Sequence, residues 1–75
     1  GNPREFARMV QESGARFVEV KSYMHVGYSQ RRLTIRDMPL HEDITAFVDQ
    51  MLPHCEYAVK GENTQSRVIC LEKTV

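Results

Sequence analysis

The residues best suited to chemistry in this chain lie between Phe17 and Glu42. Lys21, Arg31, Arg32 and Arg36 fall there with Tyr23 and Tyr28 interleaved, against only Glu19, Asp37 and Glu42 as acids. The whole chain carries ten basic and ten acidic residues and is formally neutral, so this cationic bias is local. Arg and Lys neutralise phosphates, while Tyr and His rings, His25 among them, stack on unpaired bases. The combination reads as RNA contact; the same residues also suit a solvated loop whose arginines keep it soluble. Glu19 and Lys21, two apart near a strand end, suit a catalytic or substrate-holding pair, or equally a structural ion pair. His41 falls in the first turn of a helix, where an imidazole meets an anion or simply contacts the preceding loop.

What is missing narrows the chemistry. The sequence has no Gly-rich phosphate loop, no GxSxG elbow, and no CxxC or CxxxCxxC motif. His54-Cys55, Cys70 and two distant histidines have poor metal spacing, so no metal site is expected. Neutrality argues against a free-standing nucleic-acid binder held by overall charge. No apolar run is long enough to span a bilayer and no signal peptide is visible, so no membrane partner is expected. Two cysteines without framework spacing do not describe a disulfide-stapled secreted domain, and a reducing cytoplasm fits better.

The elements that must position these residues follow from periodicity. Seventy-five residues make one domain, 1–75. Asn2 caps a helix that Pro3 opens, Phe6, Met9 and Val10 give it an apolar face, and Gly14 ends it. Arg8 and Glu12 can pair across one turn. Arg16 to Tyr23 alternates with period two, placing Val18 and Val20 against the helices and Phe17, Glu19, Lys21 and Tyr23 on the other face. Phe17 is out of place on a solvent face, which points to a cover over that side. From Met24 to Met38 the composition reads as a long loop, with Gly27 for a positive φ or a close approach. Pro39 opens a second helix, capped by Asp37 or Met38, with Leu40, Ile44, Phe47, Val48, Met51 and Leu52 as its apolar stripe. Cys55–Lys60 and Arg67–Glu72 flank the turn residues Gly61-Glu62-Asn63-Thr64 and form an antiparallel hairpin. A turn centred between Glu62 and Asn63 would bring Cys55 opposite Cys70. The expected fold class is α+β: a two-layer domain in the order α-β-α-β-β. A right-handed crossover would make its first two strands parallel, giving a mixed three-stranded sheet.

Several stretches also carry a family resemblance. Phe17-Val18-Glu19-Val20-Lys21, Gly27-x-Ser29, Leu33-Thr34 and Met38-Pro39-x-His41-Glu42 resemble the wyosine base formation domain. That domain is the C-terminal part of tRNA 4-demethylwyosine synthases, and Tyr23 to Ser29 resembles the archaeal branch. The resemblance implies a parent radical S-adenosylmethionine enzyme with 4Fe-4S clusters. Such an enzyme converts N1-methylguanosine beside the anticodon of phenylalanine tRNA into 4-demethylwyosine, with pyruvate as carbon donor. It implies an N-terminal radical domain, an incomplete α/β barrel absent from this chain, and no cofactor within the chain itself. The Gly-Asn start reads as a processed chain or, preferably, as a cut-out piece whose Gly1 is a tag scar, and the resemblance implies that such a piece is not catalytic alone. On the same grounds Tyr23, His25, Tyr28, Ser29, Arg31, Arg32, Arg36 and His41 are expected to contact the anticodon stem-loop. Glu19 and Lys21 would line the substrate cavity under the barrel half. Asp43 stands where the family often has a second Glu. A rival reading is a non-enzymatic docking module whose basic loop binds a protein.

Overall fold

The computed structural model describes the backbone of residues 2–21, 23–26, 31–34 and 40–75, and the side chains of residues 2–21 and 40–75. Helix α1 spans Pro3–Ser13; Asn2 caps it by accepting from the Arg4 N–H at 2.9 Å, and Gly14 closes it at φ 66°. That left-handed conformation costs glycine nothing. The i,i+4 pair forms, with Arg8 Nε 3.7 Å from Glu12.

Helix α2 spans His41–Met51. It begins two residues later than the proline pattern predicts, with Leu40 as N-cap. Asp43, in the first turn, accepts from the Leu40 N–H at 3.0 Å, so a carboxylate inside the helix supplies the capping hydrogen bond that Leu40 cannot. Asp37 and Met38, the expected caps, lie outside the described residues. Ile44, Phe47, Val48 and Met51 are buried along one stripe, whereas Leu40 is exposed.

Among the described residues, five strands form one sheet in the order β3-β2-β1-β5-β4. They are β1 Phe17–Val20, β2 Tyr23–Val26, β3 Arg31–Thr34, β4 Tyr57–Asn63 and β5 Val68–Lys73. The predicted single strand to Tyr23 is therefore two, β1 and β2, with only Lys21 and Ser22 between them. The stretch read as a loop from Met24 is in part sheet: β2 and β3 pair antiparallel, Met24 opposite Leu33 and Val26 opposite Arg31. Its two-residue apolar alternation was masked by its basic and aromatic composition. Residues 27–30 and 35–39 lie outside the described residues.

The α+β class stands, but the mixed three-stranded sheet does not: every strand pair is antiparallel. Strands β1 and β4 do run the same way, as a crossover through α2 requires, yet β5 lies between them. Composition explains the insertion. Ile69 and Leu71 of β5 are fully buried beside Val18 and Val20, while β4 carries Lys60, Gly61 and Glu62 and takes an edge. Charge and a bulge at an edge also discourage pairing with other chains.

The hairpin register differs from the expected one. Strand β4 continues through Asn63, and Gly61, not Cys55, is opposite Cys70. Asn63 Oδ1 accepts from the Ser66 N–H at 2.8 Å, which moves the reversal three residues toward the C-terminus. Cys55 precedes the strand, its thiol directed at the Met51 and Leu52 carbonyls at 3.8 and 4.0 Å. Both cysteines are free thiols.

Both helices cover one face of the sheet. The core joins Phe6, Ala7 and Val10 of α1 to the α2 stripe, Val18, Val20, Ile69 and Leu71. The Phe6 and Phe47 rings meet at 5.3 Å in a tilted contact. Tyr57 ties β4 to the end of α1: its hydroxyl donates to the Ala15 carbonyl and lies 3.4 Å from that of Val10. Burial pushes this phenol above its ordinary value, opposed in part by Ser13. Burial raises the Cys55 thiol in the same way, opposed by a backbone hydrogen bond at Tyr57.

Candidate nucleic-acid interface

The second face of the sheet is uncovered by either helix. In β1, Val18 and Val20 are buried, and Phe17 and Glu19 alternate with them on the open side. One row of Cα partners crosses all five strands through Glu19: Gly61, Cys70, Glu19, His25 and Arg32. Three residues singled out in the sequence, Glu19, His25 and Arg32, thus share one register position. Tyr23 is opposite Thr34 two residues along the same strands.

Lys21 follows β1, and its ammonium is 3.7 Å from the Glu19 carboxylate. Both side chains remain more than a third exposed, 37% and 57% respectively, so water screens the pair. The structure brings Glu19 and Lys21 together as expected from their spacing.

Phe17 lies beside this row and is 47% exposed. It is bracketed by cations: the Arg16 guanidinium carbon is 5.3 Å from the ring centroid and the Lys60 ammonium 4.3 Å. Both distances fall inside the cation–π range of about 6 Å. Arg16 also reaches Glu72 of β5 at 3.5 Å. Lys60 arrives there as the extra residue of the β4 bulge between Val59 and Gly61. Bulges re-aim side chains at sheet edges. Sequence reading flagged Phe17 but neither Arg16 nor Lys60. The displaced ring was the available signal; the bulge left none.

His41 is elsewhere. It opens α2, and its Nε2 is 2.9 Å from a Glu62 carboxylate oxygen on β4. That strand forms the edge opposite to β3, which carries Arg31 and Arg32. The adjoining open groove is lined by Leu40, Glu42, Thr45, Asp49 and Thr64 as well as His41. Glu42 and Asp49 make it a poor seat for a polyanion. Tyr28, Ser29 and Arg36 lie outside the described residues, so the predicted contacts are divided between a β1–β3 group, His41, and these three.

Two cysteines in the chain are too few for the thiolate set of a 4Fe-4S cluster. Among the described residues, no group of three or more His, Cys, Asp or Glu could hold a metal ion. No helix of the described residues is long and apolar enough to cross a membrane.

Comparison with known proteins adds the family. A family model described as wyosine base formation matches residues 12–73. The chain is 39% identical over 71 residues to the S-adenosyl-L-methionine-dependent tRNA 4-demethylwyosine synthase of Pyrococcus horikoshii, covering 93% of this chain and 21% of the relative. The same figures hold for the Pyrococcus abyssi enzyme of that name. The Methanocaldococcus jannaschii synthase is 35% identical over 68 residues, covering 91% of this chain and 22% of the relative. The chain thus spans about a fifth of the length of the curated relatives it matches.

Proposed function

The chain belongs to the wyosine base formation family, and on that premise we propose that it is the tRNA-contacting domain of a tRNA 4-demethylwyosine synthase. The parent enzyme would convert N1-methylguanosine beside the anticodon of phenylalanine tRNA, with pyruvate as carbon donor. Radical chemistry on S-adenosylmethionine and the iron–sulfur cluster belong to an N-terminal barrel domain, since the thiolates here are too few. What carries the reading is the family match over nearly the whole domain, from relatives whose names specify a tRNA product. The strand register supports it by placing Glu19, His25 and Arg32 in one row of Cα partners, with Lys21 beside Glu19.

The roles divide by chemistry. Arg31, Arg32 and Arg36 neutralise phosphates, Tyr23, His25 and Tyr28 offer rings to unpaired bases, and Ser29 adds a polar contact, while His41 stays with Glu62 at the other edge. Glu19 and Lys21 face the substrate cavity once the barrel half covers them. Arg31 and Arg32 also occupy an edge strand, where charge protects against edge pairing whatever else it does.

Filter binding of tRNA across a salt series tests the proposal. Replacing Arg31, Arg32 or Arg36 by Ala should weaken binding, and each lost phosphate contact should make the slope of log affinity against log salt shallower by about one unit. Glu19 and Lys21 variants should lower single-turnover rates in the parent enzyme while tRNA affinity holds. Arginine variants that bind like the unaltered protein at every salt concentration would leave the docking-module reading in place.

A further inference from the structure

Among the described residues, Phe17 is the one large aromatic side chain left exposed. It stands on a sheet face backed by two helices on the other side. Its neighbours are Arg16, Lys60, Glu72 and the Glu19–Lys21 pair. The centre of a protein interface is depleted in Lys, Glu and Asp, so these charged surroundings suit a polar cavity that receives a ligand rather than an interface core. An aromatic ring on an open sheet with cations around it is instead how proteins stack unpaired RNA bases. Lys60 makes no ion pair among the described residues, and its flexible stem lets the ammonium leave the ring for a phosphate. Arg16 is anchored by Glu72 at 3.5 Å while its guanidinium carbon lies over the ring, 5.3 Å from the centroid.

We propose that Phe17 is a stacking platform for one unpaired base of the RNA, with Lys60 and Arg16 taking the flanking phosphates. The proposal rests on the tRNA reading above and adds a contact separate from the Arg31–Arg36 stretch. An incoming base takes the place of the Lys60 ammonium over the ring, and that ammonium moves outward to the RNA backbone. Stacking contributes independently of salt, whereas the two cations contribute through counterion release.

The test uses the full chain with an unmodified tRNA transcript, a short unpaired oligoribonucleotide, and the same sequence as a duplex. The chain contains no Trp, so Phe17→Trp introduces a single indole at the platform. Its emission should be quenched by the tRNA and the unpaired RNA and far less by the duplex. Phe17→Ala and Phe17→Leu should each weaken binding of the unpaired RNA about 5- to 150-fold with the salt slope unchanged. Leu retains apolar bulk without a π face, so it separates stacking from packing, and Phe17→Trp should preserve affinity. Lys60→Ala should reduce the salt slope by about one unit. If all Phe17 variants bind as the unaltered chain does while Arg31→Ala and Arg32→Ala weaken binding, the platform is refuted and the tRNA reading stands. If the unaltered chain binds none of the RNAs, both fall and a protein partner is left to cover the face.

Discussion

Val18 and Glu19 are adjacent in β1, yet Val18 is 1% exposed under the helices while Glu19 stands in a row open to solvent. The same opposition runs through β5, where Ile69 and Leu71 are buried and Cys70 alternates with them opposite Glu19. One face is therefore apolar, packed and backed by both helices. The other carries an exposed aromatic residue and ion pairs. In a domain of this size the packed face must supply nearly all the stability. The open face is then at liberty to hold groups that would be costly in a core, Phe17 with its cations and the Glu19–Lys21 pair among them.

The sharpest way to break this division is through the core. Leu71→Ala or Ile44→Ala should lose about 2–5 kcal/mol, a large share of what so small a domain possesses. Glu19→Ala should stay within about 0.5 kcal/mol. Urea unfolding of both classes decides it, and comparable losses would mean that the two faces are not energetically distinct. Tyr57→Phe comes next. Removing the hydroxyl that donates to the Ala15 carbonyl should cost about 0.5–1.5 kcal/mol and loosen the end of α1, read by hydrogen exchange there.

Alkaline titration probes the same packed region. Tyr57 and Cys55 are both raised by burial, so the native state holds these protons more tightly than the unfolded chain does. Stability should therefore be intact below the ordinary thiol and phenol values and fall as pH rises through the raised ones. Tyr57→Phe should flatten part of that decline. Smallest of all should be the Glu19–Lys21 coupling, at about 0.2–1 kcal/mol in a double-mutant cycle, because both groups are substantially exposed. A larger value would point to a pair buried by something else in solution.

Legibility in the sequence followed the same boundary. The packed face could be read almost residue by residue: Asn2 and Gly14 at the ends of α1, the Ile44–Met51 stripe, and Val18 and Val20 turned inward, all set by local periodicity and capping. The order of strands could not, because β5 enters between β1 and β4 through long-range pairing that no local pattern records. The β2–β3 hairpin was lost for a related reason, its alternation hidden among Arg and Tyr. Cys55 missed Cys70 because three residues of turn placement depend on one Asn63 side chain. At the candidate site, Glu19–Lys21 followed from spacing and Phe17 from its misfit, whereas Lys60 reaches the ring through a bulge.

The most direct measurement is an amide chemical-shift titration of the isotopically labelled chain with tRNA. The account predicts shifts along β1, β2 and β3 and at Arg16, Phe17 and Lys60, with α1 and the Ile44–Met51 stripe of α2 unmoved. Shifts confined to the helices, or none at all at saturating tRNA, would contradict it.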